Sequence, residues 1–262
     1  MRPLDLKEQS KTLVEDAVNS ALESVSLNEA GLVCLTGRKQ EFEAYLTKGL
    51  TRFSTKRPDY TSAQAILGVD FISPEEVASY CGLAYTDEQV AYLGKTLPDD
   101  GVLTWCREND MMLLPGPPQS MCFLDLVSLF SAHIALFDVG EEWFFAHTEV
   151  FARGERVGAG SWIAMGKREV PGSFGKEWLD QQRLVEEPLI IPNTAEVVWA
   201  FLSYLSVRDR YLLEPNRYVR GSSISEGGMP ICIGRLDNEL DIAHYSDGDS
   251  EILMGMAFAR HF

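Results

Sequence analysis

The stretch NTAEVVWAFLSYLSV, residues 193–207, decides the fold. Asn193 is of the helix N-capping type, and Glu196 three positions on completes a capping box. From Val197 onward the run is apolar almost all round, and a helix of that kind is buried on every side. The reading predicts a buried helix with a sheet packed against it.

Strands for that sheet follow directly. RYVRGSSIS, PICIGRL, LDIAHYS and ILMGMAFAR succeed one another, separated by EGG, DNE and DGD. Glycine and aspartate at those breaks favour tight turns, so an antiparallel meander is predicted at the C-terminal end. Further upstream, Trp143, Phe144 and Phe145 lead into HTEVFARGE, which is predicted as a strand ending in a turn. GAGSWIAMGKREV is predicted as its neighbour, with Trp162, Ala164 and Gly166 alternating against Ile163 and Met165.

Ahead of the strands the texture is helical. Ser73, Pro74 and Glu76 form a capping box with proline in its favoured first position, and Gly82 ends that helix. Thr86 caps the next, DEQVAYLGKTL, whose first-turn acids suit the helix dipole. A third spans Asp100 to Asn109. Two more are predicted nearer the start, in LVEDAVNSALESV and from Arg38 to Phe53. STKRPDYTS, residues 54–62, has the polar, proline-bearing composition of a linker or exposed loop. PGPP at 115–118 cannot continue a helix and is the expected boundary. The organisation predicted is a helical region over 1–114 and a mixed α/β domain over 119–262.

The 262 residues carry a formal net charge of −16, spread over both halves. Such a surface keeps a protein soluble by self-repulsion and lacks the basic face that nucleic-acid binding requires. The first residues, MRPLDLKEQSKTLVEDAV, lack the apolar core of a signal peptide, and the run Val197 to Leu205 is too short to span a bilayer. A cytoplasmic location, with no membrane and no nucleic-acid partner, is expected. The five cysteines are scattered with no CxxC pair, which is the usage of reduced thiols.

The chemistry-bearing patterns are sparse. Gly158 and Gly160 fail the dinucleotide fingerprint at its third glycine, and Gly166-Lys167 lacks the serine or threonine of a phosphate-binding loop. Asp241, His244, Asp247, Asp249 and Glu251 gather around a DGD turn, without the spacing of a calcium loop or a zinc site. His147 and Glu149 would share one face of the predicted strand as base and orienter. No metal, no cofactor and no catalytic residue is assigned from these.

Arginine supplies the remaining candidate. Arg208, Arg210, Arg217, Arg220 and Arg235 fall close together in an otherwise acidic chain, with Ser222, Ser223 and Ser225 among them. Guanidinium forks match carboxylate and phosphate geometry. Arg208 and Arg210 cannot share a helical face, and strand alternation separates Arg217 from Arg220. The candidate anion-binding set is therefore Arg210, Arg220 and Arg235 with Ser222 or Ser223.

Two resemblances add to this. ISPEEVASYCGLAYTDEQVAYL resembles the helix-turn-helix of excisionase-like regulators, with Ala78 and Gly82 at the right spacing. It departs where Val90 falls two positions late, and where Asp87 and Glu88 open the helix that would face phosphates. The second half resembles a family of bacterial proteins without known activity, through GAGSWIAMGK, WLDQQ, IPNTAEVVWAF and the closing strands. That resemblance implies a bacterial or mobile-element origin and carries no activity with it.

The sequence thus predicts an α+β protein, helical at first and then a mainly antiparallel sheet on a buried helix. The expected function is a non-catalytic, acidic interaction or binding protein, with a protein as its partner. The alternative is a small-molecule enzyme or anion-binding domain built on the arginine and serine cluster.

Overall fold

A computed structural model describes residues 58–130, 142–146, 149–236, 239–245 and 253–262, with scattered positions before residue 44. The chain divides into two compact units, Met1–Lys56 and Arg57–Phe262. The division falls inside the 54–62 stretch read as a linker. Most of the two early helices, and Asp247, Asp249, Glu251 and His147, lie outside the described residues.

Within Arg57–Phe262, four helices come first: α1 (Thr61–Leu67), α2 (Pro74–Cys81), α3 (Asp87–Lys95) and α4 (Asp100–Glu108). Their starts are set by side chains. Ser73 and Glu76 close the predicted capping box on α2, and Thr86 and Gln89 close another on α3. Asp99 accepts from the Val102 amide at 2.9 Å and caps α4. Gly82 ends α2 in the left-handed conformation at φ 69°.

There follow β1 (Met111–Pro115), β2 (Met121–Cys122), α5 (Phe123–Phe130), α6 (Val150–Gly154), β3 (Arg156–Val157) and β4 (Trp162–Gly166). After them come α7 (Trp178–Gln182), α8 (Thr194–Arg208), β5 (Arg217–Ile224) and β6 (Pro230–Leu236). β7 (Glu239–His244), β8 (Leu253–Met256) and β9 (Ala259–His261) complete the order. The fold is α+β.

Three sheets result: β1-β4-β9, the small pair β2-β3, and β7-β6-β5-β8. β4 is central in the first, antiparallel to both neighbours. Its alternation sorts side chains into two cores. Ile163 and Met165 pack with α8, while Trp162 and Ala164 pack with Leu67, Leu93 and Leu103 from α1, α3 and α4. All five β4 residues are buried, as expected for a strand covered on both faces. The Trp162 indole donates to the Leu93 carbonyl at 2.9 Å, so its polar atom is satisfied inside the core.

Helix α8 is the shared wall. Asn193 and Glu196 form the predicted capping box, and Thr194 through Tyr204 are buried without interruption. α8 belongs to the same core as Val219, Ile231, Ile233 and Ile242 from β5, β6 and β7. Trp199 donates to the Pro115 carbonyl at 3.0 Å.

Three expectations need correcting or placing. HTEVFARGE is not a strand: its described part is helix α6, preceded by a 3-10 turn over Glu142–Phe145. Phe151 and Ala152 are both buried while Val150 is 74% exposed, which is helical burial and not strand alternation. Phe123 draws that segment in, with ring centroids 5.3 Å from Phe144 and 5.8 Å from Phe151.

The meander also ends differently from the reading. β5, β6 and β7 are antiparallel in sequence order, but β8 crosses to the far side of β5 and runs parallel to it. ILMGMAFAR then splits, Met256 pairing with Arg220 and Ala259 with Met165 in the other sheet. Finally, PGPP lies inside the larger unit: β1, which ends on Pro115, pairs along its length with β4 from beyond it.

Candidate functional site

Where β4 ends, Gly166 is followed by Lys167 and Arg168, and the chain turns out of the sheet. The turn from α4 into β1 brings Asp110 opposite. Asp110 has φ 53°, a left-handed conformation that aspartate tolerates better than most residues. Its carbonyl accepts from the Lys167 amide at 3.1 Å, and its carboxylate takes Lys167 Nζ at 2.7 Å and Arg168 Nε at 3.2 Å. Asp70, from the 3-10 turn Gly68–Asp70, takes Lys167 Nζ at 2.8 Å from the other side.

These groups line a depression of about 180 Å³. The 3-10 turn contributes Val69 and Asp70, the two facing turns Asp110, Lys167 and Arg168, and α8 with the segment after it Tyr204, Arg210, Tyr211 and Leu212. The α8 helix supplies Tyr204 and ends at Asp209, again left-handed at φ 53°, which turns the chain so that Arg210 reaches the rim. One left-handed non-glycine residue, Asp110, thus lines the depression, and another, Asp209, immediately precedes the lining residue Arg210.

The wall carrying Asp70 is held by Arg208. Its guanidinium donates to the Val69 carbonyl at 2.7 Å, the Phe71 carbonyl at 2.5 Å and Glu76 Oε1 at 2.6 Å. Three acceptors in different directions use the fork geometry of arginine in full.

The electrostatics follow from the pairing. Burial alone would lower the pKa of the Lys167 ammonium, and hydrogen bonds to Asp110 and Asp70 more than reverse this, so it is raised. Burial pushes the Tyr204 phenol up and the Asp70 charge adds to it, with Arg210, Lys167 and Arg208 opposing. Lys167 and Arg168 are balanced by the two carboxylates. Among the described residues, Arg210 is the cation of this lining with no carboxylate in ion-pair contact.

The five residues singled out in the sequence do not converge as one set. Arg210 is in the lining, and Arg235 stacks on Tyr211, its guanidinium carbon 4.3 Å from the ring centre. Arg220 is 1% exposed and faces Gln181 Oε1 at 3.4 Å and the Met254 sulfur at 3.5 Å. Ser222 is exposed, its amide donating to the Pro192 carbonyl at 2.9 Å. Ser223 is fully buried, accepting from the Thr194 amide at 2.7 Å and donating to the Glu155 carboxylate. No family model, curated protein or solved structure matches the chain significantly.

A second polar cluster surrounds the start of α8. His261 Nε2 lies 2.9 Å from Glu196 Oε1, and Glu196 Oε2 accepts from the Asn193 amide at 2.9 Å. Burial raises the Glu155 carboxyl above its usual range, the Ser223 hydroxyl opposing and the Glu196 charge adding. Each of these groups is engaged in holding β9, β5 and the segment before β3 to the helix end. Among the described residues, no group of His, Cys, Asp and Glu could hold a metal ion, and no helix is long and apolar enough to cross a membrane.

Sequence reasoning missed Asp70, Asp110, Lys167, Arg168 and Tyr204. In the sequence, Lys167 stands out only beside Gly166, in a context that lacks the serine or threonine of a phosphate loop. Its partner Asp70 is 97 positions away in the chain, beyond the reach of any spacing rule.

Proposed function

We propose that the protein is a non-catalytic binding protein that takes a small anionic ligand in the depression at the end of β4 and α8. The observation that carries this reading is Arg210, which has no carboxylate partner among the described residues, in a lining where Lys167 and Arg168 are paired with Asp70 and Asp110. In a chain of net charge −16, a depression lined by a cation without a carboxylate partner among the described residues is a place where an anion gains. Its preformed ion-pair floor keeps the lining in place before a ligand arrives, which lowers the cost of binding.

The nucleophile-type side chains support binding over covalent chemistry. Burial pushes the Cys81 and Cys106 thiols up to about 11, and Cys232 is raised as well. A thiol that stays protonated is a poor nucleophile. Ser223 is committed to Glu155 and to the first turn of α8.

Isothermal titration with small oxyanions at constant ionic strength tests the reading. Wild-type protein is expected to bind at least one of them, and Arg210→Ala is expected to abolish that binding without lowering the melting temperature. Equal binding by the two proteins would refute it.

A further inference from the structure

We infer that Arg235 is a positioning residue of the anion site, acting through the ring of Tyr211 on the segment that carries Arg210. The inference rests on the anion-binding reading above and adds the means by which that lining is kept in place.

Arg210 and Tyr211 are neighbours in the segment between α8 and β5, and both line the depression. The segment is fastened at its start, where the left-handed Asp209 donates its amide to the Leu205 carbonyl at 2.8 Å. Further on, Leu213 is buried in the main core and Leu212 packs against the same core. At its end the amide of Asn216, left-handed at φ 60°, donates to the Arg235 carbonyl at 2.7 Å. Arg210, which is exposed, and Tyr211, which is half-buried, lie between the first two of these fastenings.

Arg235 reaches this stretch from β6. Its guanidinium carbon lies 4.3 Å from the centre of the Tyr211 ring, the distance of a stacked cation–π contact. Its backbone is set by the ladder, in which Arg235 pairs with Leu240 of β7. A side chain on a strand thus restrains a ring on a loop, and strands hold their side chains more precisely than loops do. With Tyr211 restrained, less freedom remains to be lost in the neighbouring residue when an anion binds, which favours affinity. The Asn216 bond uses the Arg235 carbonyl, so replacing the side chain leaves that fastening in place.

A double-mutant cycle of Arg235→Gln and Tyr211→Leu tests this in the full chain. Acetate, sulfate and inorganic phosphate are titrated at fixed ionic strength, with melting temperatures recorded for every variant. Arg235→Gln is expected to weaken the tightest of these anions by about two- to fivefold, the worth of one cation–π contact. In the Tyr211→Leu background the same change should have no further effect, because its route to the site is gone. Equal weakening in both backgrounds would show that Arg235 acts by charge alone and would overturn the positioning role. A lower melting temperature with unchanged affinity in Arg235→Gln would make the stack merely structural, and would leave the Arg210 site standing. If no anion distinguishes wild type from Arg210→Ala, the site is wrong and the role of Arg235 falls with it.

Discussion

Glu76 Oε1 lies 2.6 Å from Arg208 Nη1, tying the end of α8 to the start of α2 across 132 positions of sequence. The same carboxylate closes the α2 capping box, its Oε2 accepting from the Ser73 amide at 2.9 Å. One side chain thus starts a helix and anchors the arginine that holds Val69 and Phe71 on either side of Asp70. The relation links local structure to the site: if the cap frays, the wall of the depression loses its tether.

Arg208→Ala is expected to destabilise the fold by about 2 kcal/mol, below the usual cost for a fully buried pair because both partners keep some solvent contact. For a unit of this size that is a fall in melting temperature of about 5 °C. Arg208→Lys should recover little of it, since an ammonium cannot reach three divergent acceptors. A lysine variant as stable as wild type would refute the role given to the fork.

Much of this was legible because the deciding signals are local. Asn193 with Glu196, Ser73 with Glu76, and the alternation of Trp162 to Met165 are written within a few residues, and each forms as its pattern requires. What was not legible depends on distant partners. Phe151 enters the core as part of a helix because Phe123 and Phe144 are there to meet it. β8 runs parallel to β5 and the chain then continues into β9 beside β4, and no turn signal in the sequence records that crossing. The site is legible in one residue, Arg210, because an arginine cluster in an acidic chain is visible by composition. Its carboxylate counterparts come from a 3-10 turn and a helix–strand turn far away in sequence.

Gly221→Ala is expected to cost about 1–3 kcal/mol by forced displacement in a packed region. A β-carbon there would lie 2.6 Å from the Pro192 carbonyl oxygen, which accepts from the Ser222 amide next door. Strand β5 passes this close to the residue ahead of the α8 cap, and only glycine fits. Urea denaturation should show a lower midpoint with an unchanged slope.

The pairing of His261 with Glu196 gives stability a pH dependence of definite sign. The hydrogen bond that His261 donates to Glu196 raises the His261 pKa, burial opposing, so the folded state holds this proton more tightly than the unfolded one. Its contribution is therefore full below about pH 6.5, the unfolded value, and is lost as pH rises through the elevated folded value. Melting temperatures of wild type and His261→Gln should differ most near pH 6 and converge as pH rises through the elevated folded value. A difference that grows with pH would reverse the assignment.

Asp110→Asn tests how the charges of the depression add. Asparagine tolerates the left-handed backbone at this position, so the turn from α4 to β1 should survive. The substitution leaves Arg168 without its carboxylate and Lys167 with Asp70 alone, so the lining gains a second uncompensated positive charge. Asp110 is partly exposed, and the loss of stability should stay below about 1 kcal/mol. Anion affinity should move much more. If the charge of the lining governs binding, sulfate should bind Asp110→Asn more tightly than it binds wild type. Equal affinities for the two proteins would show that the charge of Asp110 does not set anion binding.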